Sequence, residues 1–172
     1  MTVTTKRSLI ALLLSLVLVV SLFTVGISAT EVTTAAADEV TTAVEDFLHK
    51  YWECVCKNIL PWQDLSNREI SKVDLRENYI VTQAVIIQVL GRLGNYFFTN
   101  SNKAFEKVLR KLNNVNWRRD CDDWAMRTIR ANGRMINNEE AITLTCNVLK
   151  RHLNIPLDEF EQAKETAFLD RK

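Results

Sequence analysis

Residues 75–98 read LRENYIVTQAVIIQVLGRLGNYFF, and the secondary structure of this stretch decides the fold class. Its β-branched residues concentrate between Val81 and Val89, which is typical of a strand. The stretch is nevertheless much longer than a strand, and no turn residue precedes Gly91, so the pattern favours a buried helix. Ser71 lies three residues before Asp74, a spacing typical of a helix N-terminus.

The segments on either side also repeat apolar residues every three or four positions, which is the spacing of one helical face. One helix is predicted from Asp38 to Ile59, and we expect Pro61 to end it. Further helices are predicted after Ser101 or Asn102, after Asn138 and after Asp158. The sequence therefore predicts an all-α fold, an irregular bundle of about five helices after an N-terminal hydrophobic helix, with no sheet beyond a short pairing near Asn132–Gly133.

Residues 1–29 form a hydrophobic N-terminal segment, in which residues 9–26 carry no charge. As a helix this run would span about 27 Å, near the lower limit for crossing a bilayer. Three interpretations stay open: an uncleaved membrane anchor, a cleaved secretory signal, or a buried helix of a larger protein. The anchor is favoured over the signal because Ile27-Ser28-Ala29 is a poor cleavage site. Residues 30–37 are predicted to be a linker, and residues 38–172 a helical domain.

The cysteines and acidic residues match no catalytic or metal-binding pattern. Cys54 and Cys56 lie two residues apart, so on a helix they project about 200° from one another. The carboxylates of Asp120, Asp122 and Asp123 are offset by neighbouring arginines. The even number of cysteines would suit two disulfides in an exported domain and reduced thiols in a cytoplasmic one. We predict no catalytic residue, no metal and no cofactor, and hence a protein that is not an enzyme.

Positive charge is concentrated in the second half of the chain, although the formal net charge is only +1. Residues 102–134 carry nine Lys or Arg against four acidic residues, an excess that can meet phosphate groups. The candidate nucleic-acid-binding residues are Arg118, Arg119, Arg127, Arg130 and Arg134, with Trp117 and Trp124 as aromatic groups that can stack on bases. Two alternatives stay open: the arginines pair with the neighbouring aspartates, and the tryptophans are core residues.

Three groups of motifs occur in an order and spacing that resemble one family. They are Tyr51-Trp52-Glu53 with Pro61-Trp62; Leu75-Arg76-Glu77-Asn78-Tyr79-Ile80 continuing to Asn95; and Val115-Asn116-Trp117, Trp124, Ala131-Asn132-Gly133-Arg134, residues 143–150 and residues 153–157. From about Asp46 to Lys172 the chain resembles the C-terminal half of the DndB family of DNA sulfur modification proteins, which carries a DGQHR domain. The DGQHR signature is absent from this sequence, which fits a partial or truncated member.

The resemblance implies a non-catalytic, DNA-associated regulatory or accessory protein of the phosphorothioation system, in which sulfur replaces an oxygen of the DNA backbone phosphate. The expected partners are DNA and other proteins of the sulfur modification cluster, the expected role includes transcription regulation, and the expected location is the cytoplasm. The alternative is a helical interaction domain without a nucleic-acid role, held in the inner membrane by a single pass of residues 9–26. The sequence assigns no oligomeric state.

Overall fold

The computed structural model describes residues 34–100 and 104–171, and within these residues the chain is helical. It forms seven α-helices and one 3-10 helix, and the described residues contain no strand beyond isolated bridges. The helices are α1 Thr34–Asn58, α2 Leu60–Asn67, α3 Lys72–Asn78, α4 Ala84–Thr99, α5 Phe105–Leu109, the 3-10 helix Arg110–Asn114, α6 Glu139–Leu153 and α7 Glu159–Leu169. The all-α prediction is confirmed for this part of the chain, although the number of helices exceeds the predicted five.

The chain divides into two compact units between Glu53 and Cys54. In the first unit, Phe47 stacks on Tyr51 with ring centroids 5.9 Å apart, and Tyr51 meets Trp52 edge-on at 5.6 Å. Both Tyr51 and Trp52 are buried. Helix α1 begins at Thr34, inside the segment that the sequence predicted to be a linker.

The break after α1 lies where the sequence predicted it, but Pro61 has a different role. Ile59 is extended, and Pro61 occupies the first turn of α2. Proline is tolerated there because the first amides of a helix have no intrahelical acceptor. Pro61 therefore belongs to the start of a new helix, and Arg68, in the left-handed conformation with φ 65°, ends it.

The predicted continuous helix over residues 75–98 is wrong at residues 79–83, where α3 has ended and α4 has not begun. The backbone there pairs with a distant segment: the Ile80 amide donates to the Trp117 carbonyl at 3.0 Å, and the Arg119 amide donates to the Asn78 carbonyl at 2.8 Å. These bonds replace helical ones. The predicted start is confirmed, because Ser71 Oγ accepts from the Asp74 amide at 3.0 Å.

From Ala84 onward the β-branched stretch that resembled a strand is helical, as predicted, and Val85, Ile86 and Val89 of α4 are buried. Helix α6 packs against both α4 and α7. Residues 141–150 of α6 are all buried, including the polar residues Thr143, Thr145, Asn147 and Lys150. A helix that is buried all round lies at the centre of its unit, so α6 organises the packing of the second unit.

All four cysteines lie in described residues and are free thiols. Burial raises the pKa of Cys56 and of Cys146 to about 11. No helix within residues 34–100 and 104–171 is long and apolar enough to cross a bilayer. The hydrophobic run of residues 9–26, and with it the predicted N-terminal helix, lies outside the described residues, as do the predicted caps Ser101 and Asn102.

The cap of the central helix provides a test of the fold. Asn138 Oδ1 accepts from the Ala141 amide at 2.8 Å. We expect Asn138→Ala to lower the free energy of unfolding by about 1 kcal/mol, because an orphan amide of α6 loses its acceptor. Urea unfolding measures this change. The matched control is Asn137→Ala at the adjacent exposed position, and equal effects of the two substitutions would contradict the assignment of the cap.

Candidate nucleic-acid interface

Residues 115–136, which we call the arginine loop, lie between the 3-10 helix and α6 and contain every candidate binding residue. Trp117 and Trp124 stack at its base, with ring centroids 5.9 Å apart and planes within 12°. The Trp124 indole nitrogen donates to the Asn116 carbonyl at 2.8 Å, and that of Trp117 to the Leu112 carbonyl at 3.4 Å. Both rings are buried, so they are core residues and are not available to stack on bases.

The backbone of the loop turns tightly around Trp124. The Trp124 carbonyl accepts from the amides of residues 127, 128 and 129 at 3.2, 3.0 and 3.1 Å. The Met126 amide donates to the Ile129 carbonyl at 2.7 Å. This geometry places Met126 in the left-handed conformation, with φ 62°, and leaves its side chain 52% exposed. Non-glycine residues rarely adopt this conformation, so the surrounding hydrogen bonds hold it in place.

A second turn follows, and it is the short pairing predicted near Asn132–Gly133. Ile129 and Met135 form an antiparallel bridge, and the Arg130 amide donates to the Arg134 carbonyl at 2.9 Å. Gly133 has φ 77°, a conformation that glycine adopts without steric cost. The two arginines that flank the turn are therefore neighbours across the pairing, and both are exposed.

Two further arginines join this surface. Arg119 Nη2 donates to the Gly133 carbonyl at 3.0 Å, which holds a half-buried side chain against the second turn. Arg118 is exposed and pairs with Asp120 at 3.2 Å, while its guanidinium lies 5.7 Å from the ring centroid of Tyr79. The hydrogen bond and charge of Asp120 raise the pKa of Arg118. The loop thus brings Arg118, Arg119, Arg130 and Arg134 to the surface.

Arg127 does not belong to that exposed group, although the sequence suggested it. Its side chain is buried, and its two terminal nitrogens donate to the two carboxylate oxygens of Glu165 on α7 at 2.8 and 2.6 Å. The guanidinium also lies 4.2 Å from the ring centroid of Phe168. Arg151 donates to Glu165 as well, at 2.8 Å. An external phosphate cannot reach Arg127 while α7 occupies this position.

The ionisation of Glu165 depends on these partners. Burial raises its pKa, but the hydrogen bond from Arg127 and the charges of Arg127 and Arg151 outweigh burial, so the pKa lies below its ordinary value of 4.5. A buried carboxylate is stable in the charged form only when such partners compensate for its lost hydration. Glu165 therefore links the arginine loop, α6 and α7 through one charged group.

Two of the three aspartates of the loop have side-chain partners. Asp120 pairs with Arg118, and Asp123 Oδ2 lies 3.0 Å from His152 Nε2 on α6. The His152 side chain is 33% exposed, and its contact with Asp123 fastens the loop to the central helix. No group of His, Cys, Asp and Glu suited to a metal ion occurs in the part of the chain that the structure describes.

Sequence reasoning also missed the acidic face of α7. Glu161 and Glu165 lie four residues apart, which places them on one helical face, and Lys150 and Arg151 are adjacent in the preceding helix. That spacing was a usable signal. It did not show that Arg127, far away in sequence, joins the same cluster.

Within the described residues, these features define a helical protein in which a basic surface loop precedes the central helix. The model of the DndB family, described as DNA-sulfur modification-associated, matches residues 4–156. The chain therefore belongs to the DndB family. The match begins well before Asp46, where the motif resemblance started, and it ends before α7. No curated protein and no solved structure matches the chain.

The Glu165 cluster predicts a specific pH dependence. Because the folded pKa of Glu165 is lowered, its stabilising contribution is present above the unfolded value and is lost as pH falls through the folded pKa. We therefore expect wild type to be more stable than Glu165→Gln at pH 7, and this difference to shrink below about pH 4.5. Urea unfolding from pH 7 to pH 3 measures the difference.

The control for this experiment is Glu77→Gln, which removes an exposed carboxylate from α3. Its difference from wild type should be small at every pH, because an exposed charge is well hydrated in both states. A wild-type advantage over Glu165→Gln that stays constant from pH 7 to pH 3 would show that the ion pair contributes nothing through ionisation.

Proposed function

We propose that this member of the DndB family is a non-catalytic, DNA-associated regulatory or accessory protein of DNA sulfur modification, and that it contacts the DNA backbone through the arginine loop. The observation that carries the proposal is the grouping of Arg118, Arg119, Arg130 and Arg134 on one surface loop. Family membership supports the connection to DNA sulfur modification. We also propose that the helical domain of residues 38–172 carries this contact.

The four arginines differ in how readily they can meet a phosphate. The side chains of Arg130 and Arg134 make no hydrogen bond or ion pair to the described residues. Arg118 would exchange an exposed pair with Asp120 for a phosphate, and exposed ion pairs contribute little to stability. Arg119 keeps other donors available, because a guanidinium has five and only one bonds to Gly133. Arginine suits this role because its planar fork matches the oxygens of a phosphate.

The proposed contact is dominated by the backbone of the DNA rather than by its bases. Trp117 and Trp124, the aromatic groups that could stack on bases, are buried. Contacts from arginine to phosphate position a protein on a duplex and carry little sequence information. Such binding is sequence-tolerant and salt-dependent, and it requires a location with access to DNA, as the cytoplasm provides.

The salt dependence of duplex binding by the full chain tests the proposal. We expect wild type to bind with a log–log slope of about −0.9 per neutralised phosphate, and Arg130→Ala/Arg134→Ala to make the slope shallower by about 1.8. The physical reason is that each phosphate contacted by an arginine releases condensed counterions from the DNA, and each lost contact removes that release. Fluorescence anisotropy of a labelled duplex at several salt concentrations measures both slopes.

The matched control is Lys50→Ala/Lys107→Ala, which removes the same charge from exposed positions on α1 and α5. It should leave the slope nearly unchanged, because general charge acts weakly across a screened distance. A folded wild-type chain that does not bind duplex DNA even at low salt would overturn the proposed function. Equal slopes for the two double variants would show that the DNA contact does not depend on Arg130 and Arg134.

A further inference from the structure

The carboxylate of Glu165 occupies a position shaped for an anion. Its Oε1 atom accepts from Arg127 Nη2 at 2.6 Å and from Arg151 Nη1 at 2.8 Å, so two guanidinium groups converge on one oxygen. Arg127 adds a second bond, to Oε2, at 2.8 Å. Convergent arginines with two parallel donors are the arrangement that binds phosphate oxygens as well as carboxylates.

A third cation extends this position along α6. Lys150 Nζ donates to Glu161 Oε1 at 2.5 Å and lies 5.0 Å from the ring centroid of Tyr96. Lys150 itself is buried beneath α7. Two carboxylates that lie four residues apart on α7 therefore form ion pairs with three cations. One cation comes from the arginine loop and two come from α6.

Helix α7 is held largely by these charges. Only Glu165 and Phe168 of its residues are buried, while Phe160 and Leu169 remain 62% and 53% exposed. Buried ion pairs contribute little net stability, because the attraction must offset the lost hydration of both charges. An element with so little apolar burial opens more easily than the α4–α6 core. If α7 separates, Arg127, Lys150 and Arg151 become available beside the exposed arginines.

We propose that Arg127, Lys150 and Arg151 form a phosphate-binding site that the Glu161 and Glu165 carboxylates occupy when α7 is docked. Its ligand is a DNA phosphate, an assignment that rests on the proposed function, whereas the existence of an anion site does not. Docked α7 and bound duplex then compete for the same three cations. By linkage, whatever binds this site weakens the docking of α7 to the same extent.

Hydrogen exchange of the wild-type full chain tests the competition directly. Addition of a duplex at low salt should accelerate amide exchange in α7 and leave the protected amides of α4 unchanged. Exchange in α7 that is unchanged or slowed by bound duplex would overturn the inference while the proposed function stood. A wild-type chain that binds no duplex would instead overturn the proposed function, and the site would then be tested with inorganic phosphate.

The double substitution Glu161→Gln/Glu165→Gln removes the two negative charges that occupy the proposed site and keeps its three cations. We expect inorganic phosphate to raise the melting temperature of this variant more than that of wild type, because phosphate binds the vacated cations. Its affinity for the duplex at low salt should be higher than that of wild type, because no carboxylate competes with DNA phosphates for the three cations. The control is Glu77→Gln/Glu159→Gln, which removes two exposed carboxylates.

The results separate into clear outcomes. A folded Glu161→Gln/Glu165→Gln variant whose response to phosphate equals that of the control would overturn the site. If the variant does not fold, the wild-type exchange experiment decides, with inorganic phosphate at constant ionic strength as the second ligand. Faster exchange in α7 with either ligand supports the site, and unchanged exchange with both overturns it.

Discussion

Trp124 organises the arginine loop, because its ring, its indole nitrogen and its carbonyl oxygen each hold a different part of it. The ring stacks on Trp117, and the indole nitrogen donates to the Asn116 carbonyl. The Trp124 carbonyl accepts hydrogen bonds from three consecutive backbone amides. A surface loop without regular structure normally lacks such internal anchors. Here a buried indole, whose removal typically costs about 3–5 kcal/mol, gives the loop the rigidity of the core. The exposed arginines of the loop therefore project from a backbone that Trp124 anchors to the core.

The second unit combines two kinds of packing. Helices α4 and α6 pack with many buried apolar side chains, and one exposed ion pair joins Arg92 to Glu139. Helix α7 meets α6 and the loop mostly through ion pairs, which respond to pH and ionic strength. The unit therefore contains a region whose docking changes with solution conditions next to one whose packing does not. Asn147 connects them, because its side chain donates to the Glu161 carbonyl.

The sequence predicted the features that depend on residues close to one another along the chain. The caps Ser71 and Asn138, the helical class of residues 84–99 and the turn at Gly133 all follow from short-range patterns, and the structure confirms them. The break at residues 79–83 could not be predicted, because its cause is hydrogen bonding to residues 117 and 119. The burial of Arg127 was missed for the same reason. Its partner Glu165 lies 38 residues away, and a residue's charge does not reveal whether a distant carboxylate will cover it.

The left-handed backbone at Met126 has a chemical consequence. The thioether stands half exposed at the surface of the loop, and exposed methionine is oxidised to the sulfoxide by peroxides. The added oxygen would be hydrated where it stands, because the side chain is not part of the core. The backbone bond from the Met126 amide to Ile129 does not involve the sulfur and would persist. Oxidation at this position would therefore make an exposed apolar side chain of the loop polar while leaving the backbone bond in place.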